Sequence, residues 1–157
     1  MKIILLQIDK TQDSYLKEGI EIYISRLKNY TVFETATISV PKNVRQRSIS
    51  EQRTEEGKLI LSVVLAEDTL ILLDEKGKEF SSVEFAKFIS QKQNASVKRL
   101  IFLIGGPFGF DDAVYKRANY KISLSQMTFS HQMARLFFAE QLYRAFTILR
   151  GEKYHHL

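Results

Sequence analysis

The stretch RLIFLIGGPFG, residues 99–109, decides how this chain is read. Arg99–Gly105 is an apolar run that ends in glycine. Such a run marks a strand covered on both faces, as in a parallel sheet. Gly105-Gly106-Pro107-Phe108-Gly109 follows at once and reads as a tight connection at the strand's carboxyl end. Asp111 or Asp112 then opens a short helix.

The same pattern recurs to either side. Lys2–Ile8 is a second apolar strand, followed by a helix capped at Asp13 or Ser14 with a stripe at Leu16, Ile20, Tyr23 or Ile24, and Leu27. Thr31–Val40 alternates and is rich in β-branched residues, as a half-exposed strand is. Ser48 and Glu51 have the spacing of a capping box for a helix reaching about Ala66, with Leu59, Ile60, Val63 and Val64 on its apolar face. Thr69–Asp74 is a buried-type strand, Lys76–Gly77–Lys78 a turn, and Ser81 or Ser82 caps a helix carrying Val83, Phe85, Phe88 and Ile89. Lys121–Ser125 is the last strand, and a long helix runs from about His131 to Leu149. Strand and helix alternate five times, which argues an α/β fold with a mostly parallel sheet.

Ligands of open parallel sheets bind beyond the carboxyl ends of the strands. Three segments converge there: Leu73-Asp74, the glycine loop, and Ser125–Ser130. Exposed backbone N–H groups of such a loop can hold polar ligand groups. The alternative is a tight connection that merely needs glycine. Neither GxGxxG nor GxxxxGK[ST] occurs. In the long helix, apolar residues occupy most of the circumference, so it is either central or also a subunit interface. Glu140 and Arg144 stand four apart and pair as a structural ion pair, or an arginine faces substrate. His131 is a cap or a proton acceptor near neutral pH. Residues 41–58 carry Lys42, Arg45 and Arg47, and form either a solvated loop or an arm that contacts phosphates.

Length and composition bound these readings. The chain has 157 residues, consistent with one domain over 1–157. Lys and Arg total 23 against 18 Asp and Glu, a net charge of +5 that permits a polyanionic partner without demanding one. The absence of cysteine excludes disulfides, thiolate metal sites and cysteine nucleophiles. Three histidines, at 131, 155 and 156, leave no expectation of a metal site. Apolar runs such as Ile3–Leu6 are far short of the ~20 residues of a spanning helix. Gln7, Asp9 and Lys10 interrupt the start too early for a signal peptide. A soluble cytoplasmic protein with no membrane partner is expected.

LIGGPFGF, LLDEKGK and SLSQMTFSHQMARLFFAEQLYRAFTILRGEKYHHL together resemble the bacterial ribosomal large-subunit pseudouridine N3-methyltransferases, the small RlmH-type members of the SPOUT superfamily. An IGGPxG loop, a serine-containing strand, a T-x-x-H step, an EQLYRA helix and a YHH ending come in the family's order, and the resemblance spans the whole chain. It implies an α/β knot: a five- to six-stranded, mostly parallel sheet with helices on both faces and a deep C-terminal trefoil knot. It implies a homodimer with S-adenosyl-L-methionine held in the knot by Leu73, Gly105, Gly106, Ser125, Gln126, Met127, Thr128, Phe129 and Ser130. The implied substrate is a pseudouridine of 23S rRNA in the assembled ribosome. Gln132 and Lys153 stand where the family often has proline, which affects loop shape only. For the chemistry, Arg144 is expected to stabilise the imide anion, with Tyr154 or His155 at the proton. The lack of cysteine favours direct methyl transfer. A non-catalytic ribosome-associated RNA-binding protein is the alternative reading, and a small nucleotide-binding α/β enzyme of other chemistry is a third.

Overall fold

The computed structural model describes residues 1–156. Its elements run β1 (Lys2–Ile8), α1 (Ser14–Leu27), β2 (Val32–Ile38), α2 (Lys42–Arg45), α3 (Ile49–Val63), β3 (Thr69–Glu79), α4 (Ser82–Asn94), β4 (Arg99–Ile104), α5 (Asp112–Arg117), β5 (Tyr120–Ser123) and α6 (His131–Leu149). Five strands form one sheet in the order β2-β1-β4-β3-β5, and each neighbouring pair is parallel. Parallel neighbours need crossovers, and the intervening helices supply them.

Strand composition follows position in the sheet. β1 and β4 lie inside it and are buried almost throughout. β2 is an edge strand whose exposed and buried residues mix. Because side chains alternate across a strand, β1 feeds two cores. Ile3 and Leu5 join Phe102, Phe85, Phe138 and Phe146 under α1, α4 and α6. Ile4, Leu6 and Ile8 join Leu103, Val44, Ile60 and Val114 under α2, α3 and α5. Helices thus cover both faces, as expected.

Ser48 and Ser81 each form a full capping box, with Glu51 and Glu84, which starts α3 and α4 where the sequence placed them. Asp13 flanks α1 without a side-chain capping bond. Two expectations are corrected. Of the expected α3 face, Leu59, Ile60 and Val64 do pack into the core, but Val63 is 44% exposed, and Glu56 and Gly57 are buried because α3 also rests on the glycine loop and Asp111.

Lys76–Gly77–Lys78 is also no turn. β3 continues to Glu79, and its register against β5 shifts between Leu73 and Lys78. The reason is packing at Gly77. A Cβ there would lie 2.6 Å from the backbone N and C of Ile122. Only a glycine lets β5 run this close, and backbone cannot yield as a flexible side chain can. Gly77→Ala is therefore expected to cost about 2–3 kcal/mol in denaturant unfolding, as overpacking does. A midpoint equal to the parent's would refute this account of the shifted register.

Candidate active site

At the carboxyl ends of the strands lies a cleft of about 680 Å³. Leu73 and Asp74 end the regular part of β3 on one side. The glycine loop, Gly105–Phe110, forms a second wall, and Ser125 with Met127–His131 forms the third. These are the three segments that the sequence brought together. Leu73, Gly105, Gly106, Ser125, Met127, Thr128, Phe129 and Ser130 all line it. Gln126 does not, because its amide donates to Glu79 at 3.3 Å.

The third wall is tied down by short polar bonds. Thr128 Oγ1 donates to Glu75 at 3.2 Å, and the Ser125 hydroxyl accepts the Met127 N–H at 2.9 Å. Ser130 caps α6 by accepting the N–H of Met133 at 3.2 Å. The capping role considered for His131 therefore belongs to Ser130. His131 is the first residue of α6 and lines the cleft. Burial, then Arg135 and Arg45, push its pKa below the usual histidine value, so the ring is held neutral at physiological pH.

One acid of the cleft, Asp74, closes the strand segment named from the sequence, and a second, buried acid behind the glycine loop was not singled out there. Asp74 Oδ2 accepts the hydroxyl of Tyr115 at 2.5 Å, and Oδ1 accepts the N–H of Lys76 at 2.8 Å. Burial and this bond to Asp74 push the Tyr115 phenol up to about 12. Glu56 of α3 is the other. It is 6% exposed, and its carboxylate lies against Gly106, close to that residue's N–H. Burial raises its pKa, against the lowering pull of that N–H and of Arg45. A Cβ on Gly106 would lie 3.0 Å from both Glu56 oxygens. One side of Gly106 is thus covered by Glu56, while the residue still lines the cleft. The available signal was the acidic Glu55-Glu56-Gly57 step inside a helix, where a buried carboxylate is rare.

Arg144, Tyr154 and His155 do come together, but elsewhere. Arg144 reaches Glu140 Oε1 through Nη2 at 2.5 Å and Nε at 3.1 Å. Tyr154 donates to the same oxygen at 3.1 Å, and its ring lies 4.7 Å under the guanidinium. Burial, Tyr23 and Glu140 raise the Tyr154 pKa beyond the usual tyrosine range, so it stays a phenol. That removes Tyr154 as a proton acceptor. Arg144 Nη1 lies 3.2 Å from His155 Nδ1. A guanidinium only donates, so Nδ1 accepts and the ring proton sits on Nε2.

None of these three residues lines the cleft. His131, at the cleft, and Arg144 are thirteen residues apart on α6, a rise of about 20 Å at ~1.5 Å per residue. The helix separates the two halves of the expected site within one chain. The arm is also only partly free. Arg45 pairs with Asp9, whereas Lys42 and Arg47 are exposed and have no ion-pair partner among the described residues.

The family described as predicted SPOUT methyltransferases matches residues 1–155. Among similar proteins is the ribosomal RNA large subunit methyltransferase H of Cytophaga hutchinsonii, 58% identical over 99% of this chain and 100% of that one. Its namesake in Christiangramia forsetii is 54% identical, over 99% of both chains. A probable methyltransferase from Bordetella pertussis Tohama I shares the fold, with a TM-score of 0.54 at 12% identity over 92% of this chain and 96% of that one. These matches span residues 1–155 and with them every residue that lines the cleft: the chain belongs to the SPOUT methyltransferase family.

Proposed function

We propose that the chain uses S-adenosylmethionine to methylate N3 of a pseudouridine in 23S rRNA of the assembled ribosome, working as a cytoplasmic homodimer. The observation that carries this reading is the convergence of eight of the nine expected donor contacts on one cleft. The curated relatives, named as ribosomal RNA large subunit methyltransferases, support the substrate class.

The cleft fits the donor chemically. Leu73 and Phe129 offer apolar surface for an adenine, and the Asp74 carboxylate and Ser125 and Thr128 hydroxyls offer partners for a ribose or an amino acid moiety. No group of three or more potential metal ligands occurs among the described residues, and methyl transfer to nitrogen needs none. When bound, S-adenosylmethionine supplies an electrophilic methyl group on a sulfonium. The protein's task is to place an imide nitrogen in line with it, an orientation worth roughly 7–11 kcal/mol in favourable cases.

Arg144 is the cation for the imide anion. Its guanidinium is held flat by Glu140 and Tyr154, so little side-chain freedom is lost on binding. His155 Nδ1 takes the imide proton once Arg144 turns its Nη1 from that nitrogen to the substrate. Tyr154, kept as a phenol, orients this pair through Glu140. Because the cluster lies at the far end of α6 from the cleft, a second copy brings its own cluster to the first copy's donor. Exposed apolar side chains on α1 and α6 offer the contact: Tyr15, Ile22 and Phe137, whose ring lies tilted against Phe129 at 4.6 Å. No helix among the described residues is long and apolar enough to cross a membrane.

Mass spectrometry of 23S rRNA from ribosomes treated with the chain and S-adenosylmethionine reads the activity directly. Arg144→Ala and Gly106→Asp should each lower it at least about a hundredfold, the scale for losing one charge-stabilising group. Co-expressed, they should recover roughly a quarter of parental activity, since a mixed dimer keeps one intact cleft and cluster. No recovery would exclude the shared site.

The arm gives a second test. Lys42→Glu with Arg47→Glu should weaken ribosome binding and flatten its salt dependence by about 0.9 log units for each phosphate that is no longer neutralised, with donor affinity unchanged. Arg45 is a poor probe because it also holds Asp9. Parallel loss of donor affinity would place the arm in the fold rather than on RNA.

A further inference from the structure

Glu56 has no part in the chemistry above, yet it holds one wall of the cleft. Its carboxylate lies against Gly106, where a Cβ would stand 3.0 Å from both oxygens, and the Gly106 carbonyl accepts the Gly109 N–H at 3.4 Å. One residue further along α3, Gly57 meets the loop's other end, where a Cβ would stand 2.9 Å from Asp111 Cβ. Thr54 Oγ1 donates to Asp111 Oδ1 at 3.2 Å, while Asp111 Oδ2 accepts the Ala113 N–H at 3.1 Å and starts α5. One turn of α3 therefore grips the glycine loop at Gly106 and at Asp111.

A merely structural contact would not need a carboxylate here. Burying an acid is costly, and a neutral acceptor would satisfy one N–H at less expense. The charge strengthens the bond to that N–H, and the tight fit at Gly106 leaves the loop little freedom to move away. We propose that Glu56 is a positioning residue for the methyl donor. By clamping Gly106 it fixes the Gly105–Phe110 wall in the shape that accepts the donor before the donor arrives. This rests on the reading of the cleft as the S-adenosylmethionine site.

The test uses the full-length chain and S-adenosylmethionine itself. Calorimetry should show Glu56→Ala binding the donor about tenfold to a hundredfold more weakly, the span for losing a hydrogen bond to a charged group. In steady state the KM for donor should rise while the KM for ribosomes stays at the parental value. Without donor, the Gly106 amide should exchange its hydrogen faster in Glu56→Ala than in the parent. Glu56→Gln keeps an acceptor of the same length without the charge and should fall between the parent and Glu56→Ala in each readout.

A folded Glu56→Ala with parental donor affinity overturns the proposal, and so does a Glu56→Gln as impaired as Glu56→Ala. Should Glu56→Ala fail to fold, Glu56→Asp keeps the charge and withdraws it by about 1.5 Å. It should then bind donor more weakly, and parental affinity would again overturn the role. A parent that binds no S-adenosylmethionine refutes the donor reading itself and this proposal with it. That result is distinct from a binding parent with an unaffected variant.

Discussion

The arrangement of the site depends on one buried arginine. Arg135 is fully buried, and its guanidinium donates to the Ile8 carbonyl at 2.7 Å and to Thr11 Oγ1 at 2.9 Å. It thereby fastens the first turns of α6 to the carboxyl end of β1, an interior strand of the sheet. Burying a cation with neutral partners alone is expensive, and desolvation lowers its pKa. The group stays charged because an arginine's pKa starts so high. What this contact secures is position. With α6 anchored there, the preceding segment Ser125–Ser130 must lie beside the glycine loop, and the third wall of the cleft follows.

The same anchor determines what lies at the other end. A straight helix of nineteen residues transmits its starting position to its far end with little slack. Phe138, Leu142, Ala145 and Phe146 hold it against the sheet and its flanking helices. Glu140, Arg144 and the chain end at Tyr154 and His155 are therefore as fixed relative to the cleft as Ser130 is. Fixed at that distance, they cannot serve the cleft of their own chain by a side-chain swing. A two-ended helix with Phe137 and Leu149 left exposed on it is the geometry that the proposed pairing of two copies would use.

The sheet was legible because its rules are local. Continuous apolar runs gave β1 and β4, and serine followed by glutamate three residues later gave the starts of α3 and α4. The cleft was legible because strand ends in a parallel sheet converge whatever the loops contain. Two things were not. The extension of β3 through Lys76–Lys78 depends on the backbone of β5 lying on Gly77, a contact between residues 45 apart that no local pattern encodes. Glu56 looked like one more charge on a solvated helix, because its burial comes from a loop fifty residues away. In the tail, sequence offered Tyr154 and His155 as equals, and only the shared Glu140 oxygen separates the phenol from the imidazole.

α3 ties these parts into one mechanical unit. At its start the Gln52 amide donates to the carbonyls of Arg45 and Arg47, at 3.2 and 2.8 Å, and so fixes the basic arm to the helix. One turn later Glu56 and Gly57 hold the glycine loop. Arg45 belongs to both ends: it pairs with Asp9, whose backbone is left-handed at φ 55°, and its charge lowers the cost of ionised Glu56. A polyanion drawing on Arg45 would compete with Asp9 and Glu56 for the same cation.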